Sequence, residues 1–348
     1  MKRNWLSYMC MAALLSGALT SCNESSFLNL SDPNHFTESN FWKDKADAES
    51  ALAAAYSPIK GAMYGYFGAF DGWLNLNGRG DDIFTIKGEE VPMWNIANFL
   101  NSPSTGNDPY GALYSGIQRA NIVLRYIDQV PASGITEEDR SMIKGEALFL
   151  RGYQYFLLVN NYKEVPLRLI PSNEDETNKG PASEAALWTQ VEEDLGNAIK
   201  CNLPVERTTA KERVTKGAAI AMLGKVYATQ HRYPEAKQLL GTLLKAPYSY
   251  ELIDNFGKNF TNEDEFNKES VYEIAYSPDG EYSWSNESGI CLGCYIPQFT
   301  GPVKSGGWAK LMPNSFIVGE FTRETRPNDA DTKFDRRMYA SLFFDAAN

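Results

Sequence analysis

Between Lys144 and Leu167 apolar or aromatic residues fall at Ala147, Leu148, Phe149, Leu150, Tyr153, Tyr155, Phe156, Leu157, Leu158 and Val159, leaving no wholly polar face. That pattern predicts a helix buried on most sides. Thr136 followed by Asp139 is a weak capping-box start, and Pro166 must lie beyond the end. Arg151 and Gln154 interrupt the apolar surface; burying them unpaired would cost about 2 kcal/mol or more, so each is expected to have a partner. Nothing in this helix has the look of catalysis.

Amphipathic stretches flank it. Ala48, Leu52, Ala55 and Ile59 recur at helical spacing within Asp44 to Met63, and Ile117, Asn121, Leu124 and Ile127 do so within Tyr110 to Val130. A further helix is predicted from Ser183 to Lys200 on Leu187, Val191, Leu195 and Ile199, after a polar insertion around Pro171 to Pro181. Leu223-Gly224-x-x-Tyr227, followed by Ala236-x-x-x-Leu240 and Pro247, has the spacing of the tetratricopeptide unit of about 34 residues. In that reading Gly224 lets two helices approach, Leu223 and Tyr227 fill the groove, and Ala236 lies at the crossing. Arg151-Gly152-x-x-Tyr155 echoes its first half, with the partner helix displaced by the insertion.

Two regions lack a period. Tyr64 to Pro109 is rich in Gly, Asn, Asp and aromatics, and is long for a loop without a role or short elements of its own. Beyond Tyr250, short aromatic pieces such as Ser270 to Tyr276 sit among Gly, Pro and Asn, which suggests irregular structure with a few strands.

The sequence is 348 residues long, 43% hydrophobic and 22% charged, the balance of an ordinary globular protein. A net charge of −11, with no Lys/Arg block after the N-terminus, argues against nucleic acid as a partner. Lys2 and Arg3 precede an apolar run from Trp5 to Leu19, too short to span a membrane comfortably and typical of a signal peptide. It ends in Leu19-Thr20-Ser21-Cys22, similar to the lipobox of bacterial lipoproteins, whose cysteine is acylated and becomes the new N-terminus.

Several separated blocks together resemble one family, the SusD/RagB-type outer-membrane nutrient-binding lipoproteins of Bacteroidota. They are Cys22 with Phe27-Leu28-Asn29 and Pro33; Asn40-Phe41-Trp42-Lys43 with Ala46-Asp47-Ala48 and Ala51 to Tyr56; Tyr114, Ile117 and Arg119-Ala120-Asn121. The most specific is Gly145-Glu146-Ala147 through Leu150-Arg151, Tyr155-Phe156-Leu157 and Val165-Pro166-Leu167. Arg213 to Ala219 running on to Tyr227, and Asn267-x-Glu269-Ser270-Val271-Tyr272, complete the match.

The resemblance implies a mainly α fold in which tetratricopeptide-like helix pairs form an α-α superhelical core, with a loop-rich, partly irregular second half. The chain then divides into a signal peptide (1–21), a lipidated tether (22–43), a helical core (44–250) with an inserted ligand-facing loop region (64–109), and a loop-rich half (251–348). Family members usually continue past Asp335-Arg336-Arg337, so that half is expected to be incomplete. Also implied are a lipid anchor facing the cell exterior in the outer membrane, a SusC-like TonB-dependent transporter as partner, and a glycan, or in some branches a peptide, as ligand. Neither catalysis nor a cofactor is implied.

Sugars stack their CH faces on flat aromatic rings and give their hydroxyls to amides, carboxylates and arginine. Two loop-rich stretches offer that mixture. The first holds Trp73, Asn75, Arg79 and Asp81, with Trp94 beyond; the second holds Tyr282, Trp284 and Asn286, with Trp308 beyond. At least two of Trp73, Trp94, Trp284 and Trp308 are expected to face solvent together. Any one of them is as readily explained by packing, and Asp81-Asp82 beside Gly80 is more simply a turn or cap than a cation site.

Other chemistry has little material. Cys291-x-x-Cys294 lacks the further ligands of a structural zinc site and reads as a local disulfide or two thiols. His35 and His231 are the only histidines, and G-x-S-x-G, H-E-x-x-H and phosphate-loop motifs are absent. A glycosidase, which needs two suitably spaced carboxylates, stays open as the lesser alternative.

Overall fold

The computed structural model describes residues 41–60, 66–67, 72, 77–85, 91–100, 109–172, 174–277, 293–323, 326–327 and 332–343. The chain divides into two compact units, residues 1–43 and 44–348. Of the first, only Phe41 to Lys43 is described, with the Phe41 and Trp42 rings edge to face at 5.3 Å.

The second unit is built on a serial array of helices. It comprises α1 (Lys45–Lys60), β1 (Ile83–Phe84), α2 (Val91–Ala97), α3 (Tyr110–Tyr126), α4 (Glu137–Tyr162), α5 (Glu174–Thr177), α6 (Glu184–Lys200), α7 (Lys216–Thr229), α8 (Tyr233–Leu240), α9 (Ile296–Thr300), β2 (Met312–Pro313), α10 (Ser315–Arg323) and α11 (Arg336–Ser341). Helices α1, α3, α4, α6, α7 and α8 pack each on the next, the order of an α-α superhelix.

Helix α4 is the central element. Thr136 caps it, accepting from the Asp139 amide at 3.1 Å, and Ile143, Ala147, Phe149, Leu150, Tyr155 and Leu158 are buried along it. Its two polar interruptions are handled differently. Arg151 lies against Asp194 of α6, whereas Gln154 donates to the Leu150 carbonyl of its own helix, 2.9 Å away, and its buried Oε1 has no hydrogen-bond partner among the described residues. Gln154 presses on α3 so closely that a Cβ on Gly116 would sit 1.7 Å from that oxygen.

Glu146, fully buried on α4, joins three segments. It accepts from Tyr56 of α1 at 2.6 Å, from Arg207 at 2.7 Å and from Arg213 at 2.8 and 3.0 Å. Burial first, and then the Glu146 charge, push the Tyr56 phenol well above its ordinary pKa, so it serves as a neutral donor. The segment after α4 is fixed by side chains: Tyr114 donates to the Pro166 carbonyl (2.5 Å), Tyr155 to that of Arg168 (2.7 Å), and Asn121 to those of Arg168 and Ile170 (3.1 Å each).

The repeat appears as the pair α7–α8. A Cβ on Gly224 would meet Leu240 at 2.4 Å, and Ala236 is buried at the crossing. Tyr227 departs from the expected groove position: it is half-buried, with the Arg232 guanidinium 4.3 Å over its ring. The Arg151-Gly152 echo is paired with α6, since Gly152 abuts Asp194 and Leu195.

Ser270 to Tyr276 is not a strand. Tyr272 turns its ring edge-on to Phe149 of α4 (5.3 Å), Glu273 accepts the Phe266 amide (2.9 Å), and Tyr276 donates to the Lys60 carbonyl (2.7 Å). Side chains, not a backbone ladder, hold this piece.

Candidate functional site

The two aperiodic regions meet. Strand β1, from the first, pairs antiparallel with β2, from the second, in the register Ile83 to Pro313 and Phe84 to Met312. Beneath the pair lies a small apolar cluster apart from the helical array: Met93 of α2, Tyr295, Phe299 of α9 and Leu311, with Ile83, Ile296 and Trp308 against it.

Trp308 is presented by a tight loop after α9. Three successive amides fasten that loop: Trp308 to the Gln298 carbonyl (2.7 Å), Ala309 to that of Gly301 (3.0 Å) and Lys310 to that of Phe299 (2.9 Å). Gly301 and Gly307 pass so close that a Cβ on Gly307 would stand 2.1 Å from the Gly301 oxygen. Ala309 is held at φ 47, a conformation costing a non-glycine residue about 1–3 kcal/mol, so the surrounding bonds over-determine it. The indole is half-buried, roughly parallel to Tyr295 (centroids 6.4 Å apart, 25° between planes) and edge-on to Phe299 (5.7 Å). Trp94 on α2, beside buried Met93, is likewise half-buried.

On the β1 side, Arg79 is exposed and donates to Asn161 Oδ1 near the end of α4 at 2.9 Å. Burial pushes the Tyr66 phenol up, while Asn161 and the Arg79 charge pull it back, so Tyr66, Arg79 and Asn161 form one group beneath the loop. Asp81 and Asp82 are exposed within a bend. Their carbonyl oxygens are held by Asn314 just after β2: its Nδ2 donates to Asp81 (2.5 Å) and its amide to Asp82 (3.0 Å). Among the described residues, no hydrogen bond reaches either carboxylate.

Trp73, Asn75, Tyr282, Trp284, Asn286, Cys22 and Cys291 lie outside the described residues. Cys294 is a partly buried free thiol. Among the described residues no cluster of His, Cys, Asp and Glu could hold a metal ion, and no helix is long and apolar enough to cross a membrane. A groove of about 900 Å³ between α1, α3 and residues 272–275 contains none of the candidates; Tyr56 and Arg213 in its wall belong to the Glu146 network.

Sequence reasoning missed Asn314, Tyr295 and Phe299. Asn314 was visible only as an asparagine before an amphipathic run, a helix-cap signal; its link to Asp81, 233 positions away, had no local trace.

A family described as starch-binding and associating with the outer membrane matches residues 82–228, and the SusD family matches residues 268–348. A SusD superfamily protein from Bacteroides vulgatus superposes with a TM-score of 0.73 at 30% identity, over 86% of this chain. The chain belongs to the SusD/RagB family. It spans 61% of that SusD structure. A laminarin-binding SusD-like protein is 29% identical with a TM-score of 0.64, over 70% of this chain and 54% of the relative. SusD-like protein P38 of Formosa agariphila is 25% identical over 94% of this chain and 67% of its own length. The mainly helical SusD fold read from the sequence is the fold observed.

Proposed function

We propose that this chain is a non-catalytic, cell-surface glycan-binding lipoprotein of the outer membrane. It captures oligo- or polysaccharide at the β1–β2 surface and hands it to a SusC-like TonB-dependent transporter, anchored through acylated Cys22. Family membership supports the class of function. The observation that carries the site is the joining of two sequence-distant loop regions into one structure that holds a braced Trp308 ring and the exposed carboxylates of Asp81 and Asp82.

A half-buried indole held in place loses little freedom when a sugar ring stacks on it, which favours binding by preorganisation. Exposed carboxylates are available to sugar hydroxyls. Trp73, Asn75, Tyr282 and Trp284 belong to the same two loop regions in sequence and are proposed as further contacts, as is Trp94. Arg79 is proposed to act at the loop's base.

The 29%-identical laminarin-binding relative makes laminarin the first ligand to try, followed by starch and a glycan array. A secreted Cys22→Ser form should be retarded in affinity electrophoresis by at least one neutral polysaccharide and release no reducing sugar from it. Unchanged mobility across the panel, with retention of peptides instead, would replace this reading by the peptide-binding branch of the family. Radiolabelled palmitate entering the wild type but not Cys22→Ser tests the anchor, and co-purification of a TonB-dependent barrel tests the partner.

A further inference from the structure

The proposed saccharide surface needs its two halves kept in register, and β1–β2 is only a two-residue ladder. So short a pairing is weak alone. Asn314 supplies what the ladder lacks. Its backbone amide donates to the Asp82 carbonyl (3.0 Å) and its Nδ2 to the Asp81 carbonyl (2.5 Å). Its Oδ1 meanwhile accepts the Ile317 amide (3.1 Å), capping α10.

The side-chain amide thus uses its donor and its acceptor on different elements, and the planar group fixes one against the other. The bond to Asp81 stops at the main chain. It immobilises the bend at residues 80–82 while leaving both carboxylates exposed. Trp308 lies upstream of Asn314 on the same short stretch through β2, so the ring and the acids are referred to one backbone.

We infer that Asn314 is a positioning residue of the saccharide site, setting the Asp81 and Asp82 carboxylates relative to Trp308 without touching ligand. This deepens the glycan-binding reading and rests on it.

Asn314→Asp and Asn314→Ser keep an oxygen to cap α10 and lose the amide donor; both residues are good caps. Each should leave the thermal midpoint close to wild type, weaken binding of a retained oligosaccharide by about tenfold in calorimetry, and speed hydrogen exchange of the Gly80 to Asp82 amides. In a background of Asp81→Ala with Asp82→Ala, Asn314→Ser should cost no further affinity, a coupling that a purely structural role would not produce. If Trp308→Ala abolishes binding but both Asn314 variants bind as wild type, or if the Asn314 effect persists undiminished without the two acids, the inference is overturned while the glycan-binding reading stands. If the wild type binds no glycan, both fall.

Discussion

Arg151 and Asp194 meet side-on across the α4–α6 contact, Nε to Oδ2 at 2.8 Å and Nη2 to Oδ1 at 2.6 Å, both side chains buried. The remaining guanidinium nitrogen donates to Asn121 at 2.9 Å, and Asn121 holds the carbonyls of Arg168 and Ile170. One ion pair therefore ties α4 and α6 to α3 and to the segment after α4. Removing one charge strands the other in the interior, so Asp194→Ala should lose about 3–5 kcal/mol in urea unfolding. The combined Arg151→Met, Asp194→Leu protein should recover most of that loss, because a well-packed apolar pair can replace a buried ion pair nearly without cost.

Gly116 and Gln154 make a second coupled pair. A methyl at Gly116 would collide with Gln154 Oε1 and push the amide off the Leu150 carbonyl it now donates to. Gly116→Ala should therefore cost about 1–3 kcal/mol. Adding Gln154→Ala removes the obstacle and an acceptor that is buried without a donor. A double-mutant cycle by chemical denaturation should show a favourable coupling of about 0.5 kcal/mol or more.

What was legible in the sequence followed from local periodicity. Ala48, Leu52, Ala55 and Ile59 are all buried on α1 as their spacing predicts, and Gly224 meets Leu240 as the repeat pattern requires. Arg151 visibly needed a partner, but nothing local chose Asp194 among 44 acidic residues. The proposed binding surface was legible only as two regions of suitable composition. What joins them is a two-residue ladder, one asparagine and a small apolar cluster drawn from both, none of which imposes a period. Ser270 to Tyr276 misled for the complementary reason: its β-prone side chains are anchored individually to α4 and Lys60, without a neighbouring strand.

Acid should weaken the start of α4 in a defined window. Lys45 donates to Asp139 at 2.8 Å, and this hydrogen bond holds the Asp139 carboxyl below its ordinary value of 3.8. A depressed folded pKa contributes stability that is present above pH 3.8 and is lost as pH falls through the folded value. The same bond raises Lys45 above 10.5, so its contribution is present below that pH and fades as pH rises through the raised value. Both side chains are partly exposed, which limits the pair to about 0.5 kcal/mol. Asp139→Asn should be less stable than wild type by that amount at pH 7, and the difference should vanish as pH falls through the folded pKa of Asp139; a difference that persists in still stronger acid would assign the effect to the cap instead.

Trp308 is asked both to pack and to bind, and substitutions can separate the two. Its ring rests on Tyr295 and Phe299, so Trp308→Ala should lose stability as well as ligand. Trp308→Phe keeps a ring on those neighbours and should hold the thermal midpoint near wild type while offering sugar a smaller face. If stacking on the indole drives capture, the Phe protein should bind the retained glycan about tenfold more weakly, roughly 1.4 kcal/mol, and the Ala protein should show no measurable retention. The effect should appear in calorimetry without loss of helical signal. A Phe variant that binds like wild type would move the stacking platform to another of the candidate rings, Trp94 first, since α2 adjoins the same apolar cluster through Met93.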